Sequence, residues 1–136
     1  MRWKLAAIPI ACAALCATNS RSAADGVYTA GQAKRGADAF AAKCALCHGG
    51  DMQGSQEAPA MAGAEFLFSW GGKSAGALAS YIHAAMPPNE QGTLSDQRCA
   101  DIVAAIFWKN AFPAGQTELP ADPKALADIM IPKDKQ

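Results

Sequence analysis

Histidine is scarce in this sequence, and beyond the N-terminal region cysteine occurs in only one close pair. There are two histidines in 136 residues, and of the five cysteines only Cys44 and Cys47 form a Cys-x-x-Cys arrangement. No second pair of cysteines or histidines is present to complete a tetrahedral zinc site. Cys99 stands alone, so the sequence implies no disulfide framework either.

Charged and aromatic side chains are also limited. Charged residues make up 18% and aromatic residues 7% of the chain, and 12 basic residues balance 12 acidic ones. Because the basic residues form no cluster, the composition gives no sign of nucleic-acid binding. The length predicts a single domain. A domain of this size buries a modest fraction of its surface, so a bound cofactor would help to stabilise it.

The apolar run near the start of the chain is too short to span a membrane. Residues 5–17 carry no charge, but a membrane-spanning helix needs about 20 apolar residues, and Pro9 interrupts the run. Arg2 and Lys4 precede it, and small residues ending at Ala24 follow it. This is the pattern of a secretory signal peptide that is cleaved near Ala24.

The leader therefore takes up residues 1–24, and the mature domain takes up residues 25–136, with about 111–136 as a C-terminal extension. Three basic residues leave with the leader, so nine remain against 12 acidic ones and the mature charge is about −3. Lipid attachment at Cys12 or Cys16 is the alternative, but the residues before these cysteines do not fit it. We predict export to the periplasm and no membrane span in the mature chain.

The segment Cys44-Ala45-Leu46-Cys47-His48 has the attachment signature of c-type haem. Each thiol would add to one vinyl group of the haem, and the histidine after the second thioether would ligate the iron. A redox dithiol is the alternative, but it has no use for a histidine at this position. Thioether attachment takes place outside the cytoplasm, in agreement with the predicted export.

A helix is predicted directly before this motif. Thr29 is a suitable N-cap, and small or apolar residues recur at helical spacing from there to about Lys43. Gly36 lies on the apolar face, where glycine costs about 1 kcal/mol relative to alanine. We therefore expect Gly36 to mark a close crossing with another helix, and Phe40 to pack beside it.

A haem iron with one histidine ligand needs a sixth ligand, and methionine at that position favours electron transfer. The candidates in the mature chain are His83, Met52, Met61, Met86 and Met130. Met52 is too close to the motif to reach the opposite face of the haem. Met86 ends a predicted helix that begins after Ser74, because two prolines follow it, and enough residues precede it to wrap the haem edge.

With the haem motif directly after a Gly/Phe helix, residues 30–110 resemble the class I c-type cytochromes. The resemblance implies an all-α fold of four or five short helices around one covalently bound haem c. It also implies that Gly36 and Phe40 cross the C-terminal helix. Met86 precedes a proline, as the ligand of that family does, so His48 and Met86 are implied as the iron ligands.

The resemblance implies roles for three further residues near the haem. Pro59 matches the position whose backbone carbonyl accepts the ring N–H of the ligating histidine. Trp70 matches the position whose indole N–H binds a haem propionate; core packing is the alternative. Met61 matches an apolar position that packs against the haem, and His83 is expected to be a polar residue on a helix surface.

The C-terminal part of the sequence predicts two helices. The first begins at Thr93 or Ser95 and runs for about four turns, with Cys99 on its buried face as a small core residue. A reactive or dimer-forming thiol is the alternative for Cys99. A second, short helix is predicted across residues 122–131. Met130 lies on its apolar side, where core packing explains it.

These inferences predict a single-electron carrier that binds no substrate at its iron. The tail from Glu118-Leu119-Pro120 onward resembles the haem subunits or partners of periplasmic quinoprotein dehydrogenases. This implies a dehydrogenase as electron donor, and a terminal oxidase or another cytochrome as acceptor. The alternatives are a haem enzyme or ligand sensor with an open sixth position, and a structural subunit of a larger dehydrogenase complex.

Overall fold

The computed structural model describes residues 20–134, so most of the predicted leader, with Cys12 and Cys16, lies outside the described residues. Over that range the chain is mostly helical, and the predicted all-α class is confirmed. In order, the elements are β1 (Arg21–Ser22), α1 (Ala30–Lys43), α2 (Ala45–His48), α3 (Gly63–Trp70), α4 (Ala75–Ala85), α5 (Asp96–Lys109), α6 (Pro123–Leu126) and β2 (Ile129–Met130). No helix between residues 20 and 134 is long and apolar enough to cross a membrane.

The three longest helices begin where a side chain caps them. Thr29, Ser74 and Ser95 cap α1, α4 and α5 by accepting a backbone N–H three residues later, at 3.1–3.2 Å. These bonds satisfy N–H groups that have no partner inside the helix. The predicted starts of all three helices are confirmed, and of the two candidates for α5 the cap is Ser95 rather than Thr93.

Helices α1 and α5 cross at Gly36. A Cβ atom at this position would lie 1.7 Å from the backbone oxygen of Asp101 and 3.0 Å from the Cβ of Ala105. Glycine is therefore the residue that allows the two backbones to approach this closely. Phe40, one turn later, is 3% exposed. The predicted close crossing is confirmed.

The segment after α5 packs back against α1. The buried side chain of Gln32 donates to the backbone oxygen of Leu119 at 3.0 Å and accepts the Leu119 N–H at 2.7 Å. Arg35 bridges Asp101 and Glu118, with N–O distances of 3.1 and 2.9 Å. The start of the C-terminal extension is thus fixed to the first long helix.

The predicted helix across residues 122–131 is wrong in its second half. Helix α6 ends at Leu126, and Ile129–Met130 form β2, which pairs in parallel with β1. Ile129 and Ile131 are buried while Met130 between them is half-buried, which is the two-residue alternation of a strand rather than a helix face. Met130 therefore lies in a strand.

Candidate functional site

An apolar cleft opens beside the Cys-x-x-Cys-His segment. It contains about 650 Å³ of space, a figure that includes solvent at its open side. Three of the longer helices supply apolar walls: Phe40 from α1, Leu78 and Ile82 from α4, and Ile102 and Ile106 from α5. The cleft therefore lies where these helices meet, inside the core of the domain.

The structure brings all six residues predicted from the sequence to this cleft or its mouth. The five that line the cleft are Cys44, His48, Pro59, Trp70 and Met86. Cys47 lies at the mouth, a wider opening that Cys44, His48 and Met86 also border.

His48 is held in one orientation by a backbone carbonyl. Its Nδ1 atom lies 2.8 Å from the backbone oxygen of Pro59, and the residue is 9% exposed. A carbonyl oxygen can only accept, so Nδ1 carries the hydrogen and Nε2 of the neutral ring keeps its lone pair. A histidine fixed in this way is prepared to bind a metal through Nε2.

The two cysteines of the motif differ in exposure. Cys44 is half-buried and Cys47 is exposed. Burial, and to a smaller extent the neighbouring Cys47, raises the pKa of the Cys44 thiol. Catalytic dithiols depend on a lowered pKa, so the environment of Cys44 argues against a redox dithiol.

Met86 lies at the point where α4 ends. Its N–H donates to the backbone oxygen of Ile82 at 2.9 Å, and its own backbone is extended, with φ −120° and ψ 143°. The helix stops here because Pro87 has no N–H to continue it. Met86 lines both the cleft and its mouth, as His48 does.

Of the other candidates for the sixth ligand, only Met61 lines the cleft. Met52 is buried beside a separate groove that Trp108 and Lys109 border. Met130 belongs to β2. His83 does not line the cleft, because its Nδ1 atom lies 2.8 Å from the backbone oxygen of Leu94.

Trp70 ends α3 at the rim of the cleft. Its ring meets the ring of Tyr81 edge to face, with centroids 5.7 Å apart, and the Lys73 Nζ atom lies 4.9 Å from its centroid. Tyr81 lines the cleft but was not predicted from the sequence. Its spacing from Leu78 on the apolar face of α4 is the signal that could have identified it.

Asn110 is a second residue that the sequence did not reveal. Its amide donates to the backbone oxygens of Met61 and Ile106 at 3.0 and 2.9 Å, and its side-chain oxygen accepts the N–H of Gly63 at 2.9 Å. The residue is 1% exposed. It joins the end of α5 to the loop that carries Met61, and no periodicity in the sequence marks that role.

The chain belongs to a family of c-type cytochromes. Residues 31–104, more than half of the chain, match the family described as cytochrome c oxidase, cbb3-type, subunit III. The protein is therefore an electron-transfer protein that carries covalently bound haem c. The two thiols of the motif, the oriented imidazole of His48 and the apolar cleft fit this cofactor.

One solved structure similar to this chain is a chain of the sulfane dehydrogenase SoxCD from Paracoccus pantotrophus. The two are 20% identical with a TM-score of 0.58, and the match covers 79% of this chain and 61% of that one. This chain thus spans less than two thirds of the length of its structural relative, and the likeness is one of fold. A comparison with curated proteins found no match.

Proposed function

We propose that this protein is a periplasmic single-electron carrier whose haem iron is ligated by His48 and Met86. The observation that carries the proposal is that the oriented imidazole of His48 and the side chain of Met86 line the same apolar cleft. The cofactor supplies an iron that alternates between two oxidation states, while the protein sets its potential and its access to partners.

The remaining four residues hold and orient the cofactor. Cys44 and Cys47 tether it through thioether bonds. The carbonyl of Pro59 holds the imidazole of His48 in place and increases its basicity as a ligand. Trp70, at the rim of the cleft, orients the haem through a propionate, as the corresponding residue of the class I cytochromes does.

The lining of the cleft favours electron transfer over catalysis at the iron. A haem peroxidase needs acid and base groups beside the open position. Here the residues of α4 and α5 that line the cleft are aliphatic apart from Tyr81, and His83 directs its Nδ1 atom to the carbonyl of Leu94. A largely apolar lining of this kind favours exchange of an electron over chemistry on a substrate at the iron.

We further propose that a dehydrogenase, with a quinoprotein as the first candidate, donates the electron to this carrier. A terminal oxidase or another cytochrome would accept it, through brief encounters of small area. The resemblance of the tail from Glu118 to dehydrogenase cytochromes supports a dehydrogenase donor, and so does the SoxCD chain with the same fold. The leader, residues 1–24, supports a periplasmic location, and the same haem chemistry would serve a subunit of a dehydrogenase complex.

Absorption spectra of the haem-loaded protein test the proposed ligands. The unmutated protein is expected to be low-spin, with the weak long-wavelength band that a methionine–iron bond gives in the oxidised form. Met86→Ala is expected to lose this band. Met61→Ala removes a methionine from the same cleft and is the matched control; it is expected to keep the band.

Two results would overturn the assignment. A high-spin spectrum of the unmutated protein would mean an open sixth position and would favour the haem enzyme or ligand sensor. Loss of the band in Met61→Ala, with the band retained in Met86→Ala, would move the ligand to Met61.

A further inference from the structure

The segment of residues 87–94, which we call the latch segment, joins α4 to the cap of α5. It begins at the residue after Met86, and its residues 88–93 are exposed. Segments with few buried apolar contacts open more easily than the rest of a fold. Pro87 at its start is buried and Leu94 at its end packs against the core, so polar contacts decide whether the exposed residues between them stay closed.

His83, in the last turn of α4, binds the latch segment twice. Its backbone oxygen accepts the N–H of Gly92 at 3.0 Å. Its Nδ1 atom lies 2.8 Å from the backbone oxygen of Leu94, so the ring donates this bond. A carboxylate oxygen of Asp96 lies 3.9 Å from the same nitrogen. One residue thus fixes the far end of the segment to the helix that the segment leaves.

A third contact holds the middle of the latch segment. The Nζ atom of Lys43 lies 2.7 Å from a carboxylate oxygen of Glu90. Lys43 directly precedes Cys44, so this ion pair joins the haem motif to the latch segment. Both side chains are nearly half exposed, at 45% and 43%, and exposed pairs of this kind contribute little. The two bonds of His83 are therefore the stronger attachment.

We propose that His83 is a positioning residue that keeps Met86 on the iron by holding the latch segment closed. The proposal rests on the proposed ligation by Met86. Because the extended backbone of Met86 runs directly into the segment, the methionine cannot move far from the cleft unless residues 87–94 move with it. A molecule that replaces Met86 at the iron can then bind only when the segment is open. Its apparent affinity is therefore lower when a smaller fraction of the protein has the segment open.

Imidazole, a small ligand of haem iron, tests this proposal when it is titrated into the oxidised, haem-loaded protein. His83→Leu removes the ring bond to Leu94. We expect imidazole to bind about five to ten times more tightly to this variant, the factor that one net hydrogen bond supplies to the opening equilibrium. His83→Gln keeps an N–H donor at this position, so its affinity for imidazole is expected to lie close to that of the unmutated protein.

Two control variants separate the latch from a general loss of surface charge. Lys43→Gln breaks the weaker attachment and is expected to change imidazole binding less than about twofold, as the small contribution of exposed ion pairs implies. Lys34→Gln breaks an exposed pair with Asp38 on α1, away from the latch segment. It is expected to leave imidazole binding unchanged.

The outcomes distinguish this inference from the proposed function. If the unmutated spectrum shows the methionine–iron bond and His83→Leu binds imidazole no more tightly, the latch is overturned and the electron carrier stands. If the unmutated spectrum shows no such bond, both proposals fail. If His83→Leu does not load haem, amide hydrogen exchange of the unmutated protein, with and without imidazole, tests the latch instead. Saturating imidazole is expected to speed exchange in residues 88–94 but not in α1, and equal exchange in both states would overturn the latch.

Discussion

Each of the two histidines donates from its Nδ1 atom to a backbone carbonyl eleven residues further along the chain. His48 binds the oxygen of Pro59, and His83 binds the oxygen of Leu94, at 2.8 Å in each case. Each bond closes a loop of the chain, but the two bonds have different consequences. The first leaves Nε2 of His48 free to bind the iron, while the second fixes the segment that follows Met86. At the scale of single residues, both rings make the same bond, so their positions separate the two proposed roles: His48 lines the cleft and His83 does not.

Gly36 provides a test at the same scale. A Cβ atom there would lie 1.7 Å from the backbone oxygen of Asp101, so Gly36→Ala must push α1 and α5 apart. We expect the free energy of unfolding to fall by at least the roughly 1–3 kcal/mol of an overpacked core. Denaturant unfolding of the haem-loaded protein measures this loss.

Gly31 is the matched control on the same helix. It is exposed, and the nearest atom to an added Cβ is the Thr29 Oγ1 at 3.9 Å. Gly31→Ala is expected to stabilise the protein by up to about 1 kcal/mol, because alanine restricts the unfolded chain. Equal effects of the two substitutions would show that the crossing does not depend on close approach at Gly36.

At the scale of elements, the small sheet joins the two ends of the described chain. The N–H of Arg21 donates to the backbone oxygen of Asp128 at 3.0 Å, and Ala23 is fully buried. Ser22 and Asp25 cap the turn between them, with bonds of 2.7 and 3.1 Å. A mature chain that begins at Asp25, as the leader prediction has it, would lack β1, and β2 would keep only its backbone contacts with residues 72–74.

Thermal unfolding of two haem-loaded chains tests the contribution of this sheet. We expect the chain that begins at Asp25 to melt several degrees below the chain that begins at Ser20, since about 1 kcal/mol shifts the Tm of a small domain by roughly 4–8 °C. Arg21→Gln in the longer chain keeps the backbone bond and is expected to leave the Tm unchanged. Equal melting of the two lengths would mean that β1 adds nothing to stability.

At the scale of the whole molecule, the sequence predicts the helix caps and the crossing at Gly36, but it does not predict the pairing of the two strands. Thr29, Ser74 and Ser95 cap helices through bonds to residues three positions away, so the sequence alone predicts them. The pairing of β1 with β2 joins segments at opposite ends of the described chain. Residues 129–131 are all apolar, and a run of three apolar residues is too short to separate a strand from a helix.

In the site, too, the residues marked by a local sequence signal were predicted, and those whose contacts lie in distant segments were not. The haem motif is a five-residue signal, and Met86 is marked by the prolines after it, so both were predicted. Asn110 and Tyr81 were missed because their roles depend on partners in other elements. The bond from His83 to Leu94 depends on how the latch segment folds back onto α4, which no spacing in the sequence reveals.

We propose above all that one histidine nitrogen and one methionine sulfur would bind the haem iron. X-ray absorption at the iron edge of the haem-loaded protein, in both oxidation states, tests this claim most directly. The account predicts one sulfur atom among the ligands of the iron in each state. An iron bound by nitrogen or oxygen alone would contradict it, and would show that Met86 lies in the cleft without ligating the metal.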